Sequence, residues 1–448
     1  MNFFDRLIFC DDKLEFIRND MILKKDHYYF DWTASALESK CIKNRLESIL
    51  PIYANTHSAT TKHANIISNL YIESKAKIKE YLELDEDFII IPSAFGATGA
   101  MKKYQEIFGI YASPKLKNRL KYRLKDRLKD SNYSTPLMLV GPIEHHSNEI
   151  SLRESICECI RIPLKNEMID LDFLRNILDS NKHREILASI NIASNVSGII
   201  LPYKEISQIF RSHNIDIAYD LAAIMPHKNV DSHLFDIAYI SPHKILGGIG
   251  SCGILCIRNK YLNIDTPPTF SGGGSIKYAS KDSHYYIDDI ESREDVGTPP
   301  ILGLLKAALA FKYRNEMGIN FIQKREKILS EIFISELKNI KGVEIYGINN
   351  HHSKIPTISF NIESISPYDL AYELSYRYNI QVRAGCTCAG PYGHDLLHLQ
   401  TIKDINELNK NMRLKPAWLR VSLHYSHNFN DIEYLLDSIK KAKKRLGK

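Results

Sequence analysis

The run Ile237-Ala-Tyr-Ile-Ser-Pro-His-Lys244, followed by Ile245-Leu-Gly-Gly-Ile-Gly250, places a primary amine beside a hydroxyl, an imidazole and a glycine-rich backbone. An amine condenses with an aldehyde to an imine, while Ser241, His243 and free backbone N–H groups suit a phosphate. Together they fit an aldehyde cofactor that carries a phosphate. A lysine at a strand end is more often an exposed loop residue, so the reading rests on its company. Asp220 lies 24 residues upstream, in IAYDLAAIMPH. A buried carboxylate there would keep a pyridine nitrogen protonated, the condition under which pyridoxal phosphate withdraws electrons. Taken alone, Asp220 reads equally well as a helix N-cap.

Three further motifs supply complementary groups. Phe95-Gly-Ala-Thr98 follows an apolar run and opens a helical one. The free N–H groups of a helix start, here at Ala97 and Thr98, favour a dianionic phosphate; a plain strand-to-helix turn is the alternative. His145, in GPIEHHSNE, is of a type that stacks on a pyridine ring and exchanges protons, whereas His146 reads as its solvated neighbour. Asn195, in ASNVSG, can bond a cofactor or substrate oxygen.

These motifs need elements that bring them together. Short apolar runs read as strands at Phe88–Pro92, Pro136–Val140, Ile186–Ile192, Asp216–Tyr219, Ile237–Ile240 and Gly253–Arg258. Most are followed by a helical pattern, which predicts an α/β fold with a mostly parallel sheet. Ligands bind beyond the carboxyl ends of such strands, where the motifs stand. One long helix is expected over Pro300–Asn339. An α+β pattern follows: strands Thr357–Asn361, Gln381–Arg383 and Leu419–Leu423, with helices Tyr368–Tyr378 and Asp431–Arg445. Residues 1–50 read as largely helical around an extended piece at Tyr28–Trp32. The organisation expected is an N-terminal segment (1–50) packing on the small domain, a large domain (51–310) and a small C-terminal domain (311–448).

Composition sets the outer limits. Of 448 residues, 44% are hydrophobic and 25% charged, as in a chain that buries a sizeable core. No apolar run approaches the roughly 18 residues of a membrane span. The opening MNFFDRLIFCDDKLEF mixes Asp5, Arg6, Asp11 and Asp12 into its apolar residues, unlike a secretory segment. The cytoplasm is therefore expected, with reduced cysteines. Net charge is +6, and KLKNRLKYRLKDRLKD at 115–130 accounts for it. That stretch reads as an amphipathic helix with a solvated basic face; a contact for an acidic partner or nucleic acid is the alternative, and nucleic acid is not expected.

The order YANTHS, GAT, EHH, SNVSG, D-x-A, SPHK, GGG, GTP and RAGCTC resembles the class V aminotransferase fold, especially its cysteine desulfurase and selenocysteine lyase group. The likeness runs from about Tyr28 to Leu436. It implies fold type I, with a seven-stranded type of sheet, and a homodimer with shared active sites. It makes Lys244 the Schiff-base lysine, Asp220 the pyridinium partner and His145 the ring-stacking residue. Ala97, Thr98, Ser241 and His243 become phosphate contacts, and Thr298, in VGTPP, reaches the phosphate across the dimer interface. Arg420, in LRVSL, holds the substrate α-carboxylate. Asn55 and His57 match a loop near the substrate, and Gly272-Gly-Gly274 with Ser275 a loop near the neighbouring subunit. Cys388 aligns with the nucleophile that, as a thiolate, takes sulfur from L-cysteine or a similar amino acid, giving a persulfide and alanine. A sulfur-acceptor protein is an implied partner.

Three departures from the pattern stand out. Ala223 occupies the position, three residues after the pyridinium aspartate, where the family usually has glutamine. Cys388 and Arg420 are 32 residues apart, which leaves Tyr392–Pro416 as an extra segment that could form a lid or a partner surface. The basic 115–130 stretch looks inserted. The leading expectation is a desulfurase releasing sulfur, or selenium, through a Cys388 persulfide. A class V aminotransferase, epimerase or C–S lyase acting on another amino acid is a second reading, and a degenerate scaffold protein a third. Cys386 stands ready either to relay the persulfide or to pack. Cys386, Cys388, His394 and His398 could instead bind zinc, a weaker reading. Cys157, Cys159, Cys252 and Cys256 read as structural thiols.

Overall fold

The computed structural model describes residues 2–56, 58, 60–94, 96–124, 135–347, 353–399, 406 and 415–447, with side chains given only to residue 119 in the basic helix. Expected residue His57 and residues 125–130 of the basic stretch therefore lie outside the described residues, as does most of the segment between Leu399 and Lys415.

The large sheet has seven strands. In chain order they are β1 (Phe88–Ser93), β2 (Leu137–Val140), β3 (Glu158–Arg161), β4 (Ile186–Asn191), β5 (Ile217–Asp220), β6 (Ile237–Ile240) and β7 (Gly253–Arg258). Their spatial order is β1-β7-β6-β5-β4-β2-β3. All neighbours are parallel except those of β7, which runs antiparallel to β1 and β6. The reason is in the sequence: runs such as LMLV and IAYI are apolar at every position and buried on both faces, as helix-covered strands must be. β3 is the ICECIRI run, whose partial exposure marks it as the edge.

A second, antiparallel sheet joins β8 (Val343–Ile345), β9 (Thr357–Ile362), β10 (Arg383–Gly385) and β11 (Trp418–Ser422) in the order β8-β9-β11-β10. The expected strand Gln381–Arg383 is in fact two. Ile380–Gln381 pairs with Tyr28–Tyr29, and β10 pairs with β11. The expected helix at 300–339 is also two, Ile301–Met317 and Ile319–Lys338. Gly318 between them has φ +86°, a left-handed value that ends one helix and starts the next. The first helix is buried in the large core, while Leu329, Phe333 and Leu337 of the second belong to a separate core around β8–β11. Helical periodicity persists across such a break, which is why the sequence pattern did not reveal it.

The first fifty residues feed both cores. Phe3, Phe4, Leu7, Ile17, Trp32 and Ile42 join the large one, and Phe30 the smaller. Helices occupy Lys13–Asp20 and Lys40–Glu47, and the extended piece is the short strand Tyr28–Tyr29. No described helix is long and apolar enough to cross a membrane.

Candidate active site

The carboxyl ends of β4, β5 and β6 open on a cavity of about 220 Å³ closed on its far side by the smaller sheet. Ten of the expected residues line it: Ala97, Thr98, His145, Asn195, Asp220, Ser241, His243, Lys244, Cys388 and Arg420. Asn55 and Thr298 are not among its lining. They are exposed and bonded to each other, Asn55 Nδ2 donating to Thr298 Oγ1 at 3.2 Å.

The sheet side is built by short, regular devices. Asp220 is the last residue of β5 and is buried. Its Oδ1 accepts the Ala222 N–H at 2.9 Å, which fixes the carboxylate at the strand end. Burial pushes its pKa up, and the Ala222 N–H and the charge of Lys244 pull it back. Lys244 stands just past β6 on a single helical turn, Pro242–Lys244. Burial lowers its ammonium to about 8, against the opposing pull of Asp220. An amine at that value is partly free near neutral pH, as imine formation requires.

The helix Gly96–Ile107 starts beside them. Gly96 has φ +61°, and a Cβ there would sit 3.2 Å from Ser241 Oγ and 3.4 Å from His243 Nε2. Glycine thus leaves a small cradle between the helix start, a hydroxyl and an imidazole. The Ala97 N–H donates to Ser241 Oγ at 2.9 Å, which ties the helix start to the end of β6. Thr98 Oγ1 shares a 2.7 Å hydrogen bond with Ser147 Oγ. The packing at the back is close: a Cβ on Gly253 of β7 would lie 1.9 Å from the Gly96 carbonyl oxygen.

His145 caps the helix His146–Arg153, its Nδ1 accepting the Ser147 N–H at 3.1 Å. That bond assigns the ring proton to Nε2. Burial first, then Lys244, depress its pKa to about 3, so the ring is neutral. His146 is not the solvated residue expected. It is half-buried, its backbone N–H donates to the Cys388 carbonyl at 2.8 Å, and its Nε2 accepts the Gly390 N–H at 2.7 Å. The sequence reads His146 as a solvated neighbour because the chain that covers it lies over 240 residues away.

The opposite wall comes from β10, β11 and the turn after β10. Arg420 is 2% exposed. Its Nη2 donates to Asp31 Oδ1 at 2.7 Å and its Nη1 to the Asn195 carbonyl at 3.0 Å. Register sets Arg383 directly across from Arg420, a like-charge pair that would repel. Asp31 lies between them, its Oδ2 4.0 Å from Arg383. Neither Asp31 nor Arg383 is given a role by the sequence: Asp31 lies in an extended piece, and Arg383 opens the RAGCTC motif, where attention falls on Cys388. Thr387 and Cys388 both have left-handed backbones, φ +47° and +58°. For a β-branched threonine this is a strained state that its surroundings must impose. Asn195 Nδ2 donates to the Thr387 carbonyl at 2.8 Å and is part of that imposition.

Glu144, also unforeseen, underlies the cavity. It is fully buried and accepts N–H groups from Gly141 and Asn191 at 2.9 and 2.8 Å and the Asn148 amide at 2.7 Å. Burial raises its pKa to about 8 in spite of these donors. Ala223 presents a methyl group where the family pattern has an amide, and no donor arises at that position. Cys252 and Cys256 are buried, Cys159 lies within the edge strand and Cys157 just before it. Among the described residues no three potential metal ligands gather, around Cys386 and His394 or elsewhere.

Residues 134–435 match the model of the aminotransferase class-V family. The chain belongs to that family. A probable cysteine desulfurase of Xylella fastidiosa is 29% identical over 318 residues, spanning 69% of this chain and 70% of that protein. A probable cysteine desulfurase of Pyrococcus abyssi is 24% identical over 439 residues, covering 96% of this chain and 98% of its own. Among solved structures, the apo cysteine desulfurase of Thermococcus onnurineus superposes with a TM-score of 0.78 at 23% identity, over 96% of this chain and 98% of that one. The cysteine desulfurase CsdA of Escherichia coli gives 0.74 at 18% identity, over 97% and 99%. These structures share the fold; class V membership makes the chain an enzyme of the pyridoxal-phosphate type.

The residues present fit that cofactor. The Gly96 cradle offers backbone and hydroxyl groups to a phosphate, and Asp220 offers a buried carboxylate to a ring nitrogen. Asn195 Oδ1 and Arg420 Nε are buried polar atoms with no described partner, as expected where a polar ligand completes the set.

Proposed function

We propose that the protein is a pyridoxal-phosphate-dependent cysteine desulfurase that takes sulfur from L-cysteine and leaves alanine. The observation that carries the reading is the meeting of Lys244, Asp220 and Arg420 with the Cys388 thiol in one cavity. The relatives named cysteine desulfurases support it.

Lys244 would hold the cofactor aldehyde, Asp220 the ring nitrogen, and Thr98, Ser241 and His243 with the Ala97 turn the phosphate. When bound, the cofactor supplies an electron sink for bonds broken at the amino-acid carbons. Arg420 uses two of its five N–H donors on Asp31 and Asn195, leaving three for the substrate carboxylate. Lys244 Nζ, depressed to about 8, can take and return a proton at Cα. His145, neutral with its proton on Nε2, is a donor to substrate at neutral pH. The Cys388 thiolate attacks the substrate sulfur: an S–S bond forms and the C–S bond breaks. The electron pair stays with the substrate carbon, which takes up protons to become alanine. The persulfide is then reduced to sulfide or passed to an acceptor protein, with Cys386 a candidate relay. A homodimer would bring Thr298 and Asn55 to the partner's site, and the cytoplasm is the proposed location.

Incubation with L-cysteine and a reductant should release sulfide and alanine in equal amounts. Cys388→Ala should abolish this and keep the cofactor's visible absorbance. Full activity of that variant on L-cysteine would remove the persulfide role. The Ala223 methyl favours one competitor, a class V enzyme of different amino-acid specificity. Changes in the cofactor absorbance across a panel of amino acids, with no response to cysteine, would select it.

A further inference from the structure

The turn that carries Cys388 is bonded to the large domain at three points. The Thr387 carbonyl accepts from Asn195 Nδ2 at 2.8 Å, the Cys388 carbonyl from the His146 N–H at 2.8 Å, and the Gly390 N–H donates to His146 Nε2 at 2.7 Å. The short helix that follows, Gly390–Leu396, is fixed to the same domain. The buried Tyr392 hydroxyl lies 2.8 Å from Ser197 Oγ, and Arg161 reaches Asp395 at 2.5 Å. Position 390 fits glycine, because a Cβ there would meet His146 Nε2 at 2.9 Å.

The two left-handed residues give these bonds a purpose. Thr387 and Cys388 sit in sparsely populated conformations that persist only where their surroundings compel them. Two of the three compelling bonds come from one residue, His146, through its backbone and its ring. Loss of the ring would leave the half-buried Gly390 N–H without its partner and free the turn to relax toward ordinary backbone angles. The thiol would then leave the cavity wall for part of the time.

We infer that His146 is the positioning residue for the nucleophile: its ring pins Gly390 and thereby holds the strained turn that presents the Cys388 thiol to the cavity. The inference deepens the desulfurase reading and rests on it for its kinetic consequence. The position of the thiol can be measured apart from that reading.

The measurement is the rate of alkylation of each cysteine by iodoacetamide, followed by mass spectrometry on the cofactor-loaded enzyme. Exposed Cys10 serves as the internal reference, and protection of buried Cys252 and Cys256 reports that the variant is folded. His146→Ala should raise the ratio of Cys388 to Cys10 labelling roughly tenfold. His146→Gln, whose amide oxygen can accept from Gly390, should restore it toward wild type. Should His146→Ala fail to fold, Gly390→Ala opens the same contact from the other side and should raise the ratio equally. In sulfide release, His146→Ala should lower kcat with little change in KM, since Arg420 is untouched. An unchanged labelling ratio in folded His146→Ala, or in Gly390→Ala, overturns the inference. A wild type that releases no sulfide while the labelling ratio shifts refutes the desulfurase reading and leaves the clamp standing.

Discussion

The two walls of the cavity are built on different principles. The sheet wall hangs Asp220, Lys244 and the Gly96 turn on the ends of buried strands, where one capping bond per residue suffices. The smaller-sheet wall hangs Cys388 on consecutive left-handed residues and sets Arg420 opposite another arginine. Strain and repulsion there are held by residues distant in sequence: Asp31, His146 and Asn195. The lesson is one of division of labour. Regular elements carry the groups assigned to the cofactor, while a strained loop and a charge cluster carry the groups assigned to the substrate. Damage to one wall should leave the function of the other measurable.

Lys244→Ala tests the division hardest. Amino-acid turnover should fall by roughly 10⁴-fold or more and the absorbance of imine-bound cofactor should vanish. Cys388 labelling should stay at its wild-type rate, and a changed rate would show that the walls are coupled. Arg420→Lys strikes the other wall. A single ammonium cannot replace a planar fork that serves Asp31, Asn195 and a carboxylate. KM for the amino acid should rise roughly 10- to 100-fold with the cofactor spectrum intact, and a lost spectrum would contradict the separation.

Uptake of pyridoxal phosphate by the cofactor-free protein should speed up as pH rises through about 8. The free amine is the reacting form, and burial brings Lys244 to that value from 10.5. Stopped-flow absorbance between pH 6 and 10 would show it, and a rate flat across that range would exclude the depressed amine.

Glu144→Gln should cost about 1–3 kcal/mol of stability, read by thermal melting, because the new amide hydrogens face donors rather than acceptors. Acid should act through the buried imidazoles as well. Burial holds His145 near 3 and His243 near 4, whereas the unfolded chain titrates near 6.5. Between about 4 and 6.5 the unfolded state binds more protons, so stability should fall as pH falls through that window. A melting temperature that climbs on acidification would contradict it.

The contrast between walls also explains what could be read from sequence. Strand ends followed by glycine, aspartate or SPHK are local signals, and the sheet and its residues were legible from them. Arg420 and Cys388 were legible only through resemblance to a family pattern. Asp31, Arg383, His146 and Glu144 were not picked out, because each acts through a partner that only the tertiary fold supplies. The break at Gly318 was hidden because two collinear apolar patterns meet there without losing helical period. Ala223 is a departure legible in the sequence itself, and the structure sets its methyl in the cavity lining.

The Asp31–Arg420 bond has a consequence for the birth of the molecule. Its ends are 389 residues apart. At ordinary translation speeds of 5–20 residues per second, Asp31 leaves the ribosome about 20–80 s before its partner. The strands that carry Asp220 and Lys244 are complete long before β11 is made. A nascent chain can therefore present an amine-bearing cleft while still lacking the guanidinium that closes it. Any chain cut short ahead of Trp418 would stay in that half-built state, with Asp31 lacking its Arg420 partner.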